Sequence, residues 1–96
     1  MYARSVLCSL PLTGRMTMES VAAEIARAYP DQPGFRELSF LFNDRLGEYI
    51  TLSLWDTREQ AEEVGRLGLP ERHQYLVPVL QGPPLVRVYE VYEPGR

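Results

Sequence analysis

The chain has 96 residues, 45% of them hydrophobic and 24% charged, and a net charge of −3 carried by thirteen acidic residues against ten arginines. That balance is ordinary for a globular chain and too apolar for disorder, and without a basic cluster it excludes a grip on a nucleic-acid backbone. The absence of lysine excludes a Schiff-base or pyridoxal anchor and a P-loop, a single cysteine excludes an internal disulfide, and with one histidine no metal site is expected.

No apolar run reaches the ~18–20 residues of a membrane span, and the first twelve residues alternate like a strand rather than a leader, so the expectation is one cytoplasmic domain over 1–96. A domain this small buries little of its surface, and self-association is its natural stabiliser.

In chain order, Tyr2 to Leu10 alternates and predicts a strand closed by Pro11 and the Thr13-Gly14 turn. Met18, Val21, Ala22, Ile25 and Tyr29 recur at helical spacing, with Glu19, Glu24 and Arg27 outward, Thr17 as N-cap and Pro30 as the stop. Phe35 to Phe42 is a second strand after the Asp31–Gly34 turn, and 43–47 is a short hairpin connection to a third, Glu48 to Trp55. Thr57 and Gln60 pair as a capping box opening a second helix, whose apolar stripe is Ala61, Val64 and Leu67. Pro70 suits the first turn of a further helical piece that Pro78 breaks or kinks. Leu85 to Tyr92 is the last strand.

The order β-α-β-β-α-β, with short connections and right-handed crossovers, predicts an α+β, ferredoxin-like fold: one four-stranded antiparallel sheet with both helices on one face. On the third strand, Ile50, Leu52 and Leu54 are expected under the helices. Tyr49 and Trp55 then fall on the opposite face with Leu41, Val6 or Tyr89, a surface too aromatic to leave in water. A second copy is the expected cover, making a homodimer through the sheet faces.

Three stretches resemble the antibiotic biosynthesis monooxygenase-like family, whose members form dimeric α/β barrels. They are Pro33-Gly34-Phe35 leading into the second strand, Trp55-Asp56-Thr57-Arg58-Glu59-Gln60-Ala61 at the third strand's junction with its helix, and His73 on the later helical piece. The likeness runs over nearly the whole chain in order and spacing. The family's haem-degrading branch carries a first-strand asparagine, a tryptophan in the second helix and a histidine. Here Ser5, Cys8 and Ser9 occupy the strand and Val64 the helix position, so haem cleavage is not expected. The quinone-forming branch uses pocket Asn, Trp, Tyr and Arg residues, for which Trp55, Tyr75 and Arg72 are the candidate analogues here.

The candidate catalytic residue is His73, the only side chain of a type whose ordinary pKa suits proton transfer near neutrality. Its plainer reading is an exposed helical histidine. Tyr49, Trp55, Arg72 and Tyr75 are the candidate substrate-binding residues, against plainer roles as strand packing, barrel closure and surface. Cys8 reads as a buried hydrophobe, and Glu62-Glu63 as a solvated helix face rather than a dyad. Arg4 and Arg87 lie inside strands, where each is expected to pair with Glu37 or Glu90 or else to clamp an anionic ligand. The resemblance implies a cofactor-independent oxygenase of a small aromatic or polyketide-like phenol, needing neither cofactor nor metal. The alternative is a non-catalytic dimeric ligand-binding or regulatory module of the same fold.

Overall fold

The two-residue alternation of the strand segments and the 3.6-residue spacing of the helical ones persist in the folded chain. A computed structural model describes residues 1–69 and 73–95. Its elements are β1 (Tyr2–Ser9), α1 (Arg15–Ala28), β2 (Phe35–Asn43), β3 (Glu48–Trp55), α2 (Arg58–Glu63) and β4 (Leu85–Glu90). The strands make one antiparallel sheet in the order β2-β3-β1-β4, which is the ferredoxin-like arrangement. No helix among the described residues is long and apolar enough to cross a membrane.

α1 begins earlier than expected. Gly14, not Thr17, is its N-cap and makes no side-chain capping bond. The amide of Gly14 donates to the Pro11 carbonyl at 2.9 Å, and that turn feeds straight into the helix. A Cβ at Gly14 would meet the Leu10 side chain at 2.7 Å, so glycine is what lets the turn close. At α2 the hydroxyl of Thr57 does accept from the Gln60 amide at 3.1 Å. The reciprocal half of the box is not made, and the Gln60 side chain packs on Gly34 instead. Ala61 and Val64 are buried while Leu67 stays outside. Pro70, proposed to open a helical piece, lies outside the described residues. Beyond it the chain forms a turn and a short 3₁₀ segment, Val77–Val79, that contains Pro78 near its start. The amide missing from that proline is one the segment does not need.

The face assignment of the sheet is reversed. Under the helices lie Tyr49, Thr51, Ser53 and Trp55 of β3, opposite Cys8, Val6, Arg4 and Tyr2 of β1. Met18, Val21, Ile25 and Tyr29 of the α1 face complete this core with Val64 and Leu76. Ile50, Leu52 and Leu54 point the other way, with Leu7 and Ala3 of β1 and with Leu41 and Tyr89 on the edges. The reason is size and partnering. Thr51 and Ser53 are small enough for helices to settle over mid-strand, and the bulky ends find polar partners: the Trp55 indole donates to Ser53 Oγ at 2.8 Å and the Tyr49 hydroxyl to Asp44 at 3.0 Å. Ile50, Leu52 and Leu54 are the more apolar set, yet apolar character alone does not choose the side that packs on the helices. Val6 belongs to the helix side, and the uncovered apolar face is the aliphatic one.

Candidate functional site

The two stretches that meet at the start of β2 and the end of β3 form one structural corner. Gly34 takes φ +81°, a conformation that costs glycine little, and turns the chain into β2. Its carbonyl accepts the Asp56 amide at 2.9 Å, Phe35 meets Trp55 edge-on at 5.6 Å, and Arg36 pairs with Asp56. Trp55 also tilts against Tyr29 at 5.8 Å. Beside this corner Gln32, Pro33, Gln60, Glu63 and Val64 line a cavity of about 40 Å³, room for a water or two. Gln60 Oε1 is buried there without a hydrogen-bond partner among the described residues.

Next to Trp55 a buried polar cluster crosses the helix–sheet layer. Arg4 on β1 is buried, and its Nη1 donates to the Tyr29 hydroxyl at 3.0 Å. Its guanidinium comes close to Gly65, where a Cβ would sit 3.2 Å from Nη2. Burying a guanidinium is tolerable only with such hydrogen bonds. The hydrogen bond described here thus goes to a phenol at the end of α1, not to Glu37 or Glu90. No ion pair of Arg87 is found among the described residues.

His73 is not an exposed helical residue. It is buried in the segment after α2, its Nε2 3.5 Å from Glu24 Oε2 on α1. The Tyr75 amide donates to Nδ1 at 3.3 Å, which places the neutral ring's proton on Nε2, the nitrogen nearer the Glu24 carboxylate. The His73 carbonyl accepts the amides of Leu76 and Val77, and fully buried Leu76 anchors the segment in the core. Glu24 is the residue that helical spacing concealed. It stands on the flank of α1, and only the return of the chain after α2 gives it a partner.

The other candidates disperse. Tyr75 holds its ring 5.8 Å from His73 and is 66% exposed. Arg72 lies outside the described residues. Tyr49 and Trp55 are both fully buried and lie six positions apart along the strand, roughly 20 Å. Tyr49 packs on Phe42 at 4.9 Å in a network where Arg15 bridges Asp44 and Glu19. Burial, then the hydrogen bond to Asp44, pushes the Tyr49 phenol above its ordinary pKa of 10.0. Those carboxylates raise Arg15 in turn, the bond to Asp44 most. Cys8 is buried on the helix side. No group of three or more metal-binding side chains gathers among the described residues.

No family model matches the sequence, and no curated protein matches it significantly. Solved structures do. A Nitrosomonas europaea protein assigned to the antibiotic biosynthesis monooxygenases superposes with TM-score 0.77 at 15% identity, over 97% of this chain and 91% of that one. SnoaB of Streptomyces nogalater, a cofactor-independent oxygenase, gives 0.70 at 14%, over 96% and 93%. MhuD of Mycobacterium tuberculosis, a haem degrader solved with two haems in its active site, gives 0.68 at 19%, over 95% of both chains. The chain therefore has the fold of the antibiotic biosynthesis monooxygenase-like proteins, shared by proteins of differing chemistry.

Proposed function

We propose that the chain is a cofactor-independent oxygenase of a small electron-rich phenol, working as a homodimer closed through the aliphatic sheet face. The observation that carries the chemical part is the buried pair of His73 and Glu24. A neutral imidazole with its proton on Nε2 takes a substrate proton at Nδ1, at the expense of the long contact from the Tyr75 amide. The imidazolium so formed is held by the Glu24 carboxylate, which acts as a positioning residue. The resulting carbanion-like phenolate reduces O₂ itself: one oxygen atom enters the ring as a carbonyl, two hydrogens and the other atom leave as water, and the substrate supplies the electrons. What the protein contributes is deprotonation, orientation and exclusion of water. The fold likeness to SnoaB supports this reading.

The test is oxygen uptake with hydroquinone-like and anthrone-like substrates. His73→Ala should lower the rate ~10²–10⁴-fold. Glu24→Gln should reduce kcat with KM nearly unchanged, and Glu24→Asp should restore part of it. Wild-type uptake at the spontaneous rate with every substrate would remove the enzymatic reading.

A second reading, a non-catalytic dimeric module, is favoured by the packing. Trp55, Tyr29, Tyr49 and Leu76 are all fully buried between helices and sheet, and the cavity of about 40 Å³ is far below the ~300 Å³ of an ordinary ligand pocket. The homodimer belongs to both readings. Leu41, Leu85 and Tyr89 are each about half exposed on the sheet face that the helices leave open, and light scattering at micromolar concentration should report twice 11.0 kDa.

A further inference from the structure

Strand register arranges the middle of the open face as a grid of three rows, beyond which Asn43, Glu48 and Ser9 make a fourth. Glu37, Leu54, Ala3 and Tyr89 form the first, Ser39, Leu52, Ser5 and Arg87 the second, and Leu41, Ile50, Leu7 and Leu85 the third. Eight of these twelve residues are apolar, two are serines, and the two charges among them are Glu37 on the β2 edge and Arg87 on the β4 edge, while Glu48 in the fourth row sits on central strand β3 and away from both edges. Three strand spacings, roughly 14 Å, separate those edges, so the two charges do not meet within one chain. Both are exposed, and neither has an ion-pair partner among the described residues. Four strands of about 20 Å offer on the order of 400 Å² of face in projection, within the range of the largest patches on monomers, which are often functional.

Two copies stacked face to face about a two-fold axis have two limiting arrangements. With the axis running across the strands, β4 lies over the partner's β4, and alignment of the middle rows turns two guanidiniums toward each other. With the axis running along the strands, β4 lies over β2 of the other copy. Arg87 then stands one row, roughly 7 Å along the strand, from the partner's Glu37, within reach of a long side chain. The same contact recurs at the opposite edge by symmetry. The aliphatic rows meet in either arrangement, so area does not choose between them. Charge does.

We propose that Arg87 and the partner's Glu37 form reciprocal ion pairs across the sheet-face dimer and thereby select the arrangement in which the two-fold axis follows the strands. The inference rests on the dimer reading above and adds to it the orientation and the residues that set it. Like-charge contact penalises the crossed alternative, so the pair acts as much by rejecting a wrong docking as by strengthening the right one.

The experiment is sedimentation of the full chain as a dilution series, with thermal melts confirming that each variant is folded. Arg87→Glu and Glu37→Arg should each raise the dimer dissociation constant about tenfold or more, since two contacts are lost per dimer. The double variant, with the charges exchanged, should return to within about threefold of the wild type. Penalties that instead add in the double variant, or single variants that dimerise like the wild type, overturn the ion pair while leaving a dimer. A wild type that stays monomeric at tens of micromolar overturns the dimer and the pair with it.

Discussion

Substituting Trp55 distinguishes a core residue from an interface residue. The side chain is fully buried on the helix side of β3, between Tyr29 at 5.8 Å and Phe35 at 5.6 Å, with its indole donating to Ser53 Oγ at 2.8 Å. Trp55→Ala removes a large ring from a site closed by the sheet below and by α1 and α2 above, and such deletions cost about 3–5 kcal/mol. Against a total stability of about 5–15 kcal/mol for a chain of this length, that is a large share. Trp55→Phe keeps most of the ring contact and loses one buried hydrogen bond, costing about 1–3 kcal/mol. Urea unfolding at fixed protein concentration reads both. With a slope of about 1–2 kcal/mol per molar urea, the Trp55→Ala midpoint should fall by about 2–3 M and that of Trp55→Phe by about half as much. Trp55 is the only tryptophan, so far-UV circular dichroism is the signal common to all three proteins. A Trp55→Ala protein unfolding within about 1 kcal/mol of the wild type, or one that merely becomes a folded monomer, would refute the placement of this ring in the core.

Leu52→Glu, at the centre of the open face, should abolish dimerisation in light scattering and leave a cooperatively folding monomer; an unchanged mass would count against that face as the interface. Tyr49→Phe should flatten the alkaline loss of stability. The folded state holds the phenol's proton above pH 10.0, mainly through burial, while the unfolded chain gives it up, so stability falls as pH rises past 10. Urea midpoints between pH 8 and 11 measure this, and equal slopes for wild type and variant would refute it. Gly34→Ala should cost about 1–3 kcal/mol, because φ there is +81° and the new methyl would meet the Gln60 amide. In a Gln60→Ala background part of that loss should return, and a penalty unchanged by the second substitution would leave backbone strain as its sole cause.

Period-two and period-3.6 patterns were sufficient for the element order and the members of each strand face, and short connections with right-handed crossovers then led to the sheet topology. Local chemistry was equally legible where partners lie close in sequence: Thr57 caps α2 through the Gln60 amide three residues on. The Pro33-Gly34-Phe35 and Trp55–Ala61 stretches, read separately in the sequence, meet in space at the corner of β2 and β3 through Gly34, Phe35, Asp56 and Trp55. That contact is structural and needs no ligand to explain it.

Alternation by itself established that Ile50, Leu52 and Leu54 share one side and Tyr49, Thr51, Ser53 and Trp55 the other, because successive strand residues must point oppositely. Which side faces the helices was decided only by tertiary structure. Both faces are apolar enough to bury, and the choice turned on the small mid-strand Thr51 and Ser53, on α1 residues Met18, Val21 and Ile25, and on partners for the Trp55 indole and the Tyr49 hydroxyl. His73 and Glu24 follow the same rule. They lie 49 positions apart, on a segment without regular periodicity and on the flank of a helix whose spacing marks Glu24 as outward. Their approach to 3.5 Å comes from buried Leu76, which draws the chain after α2 back against α1, a packing event with no local signature for sequence to carry.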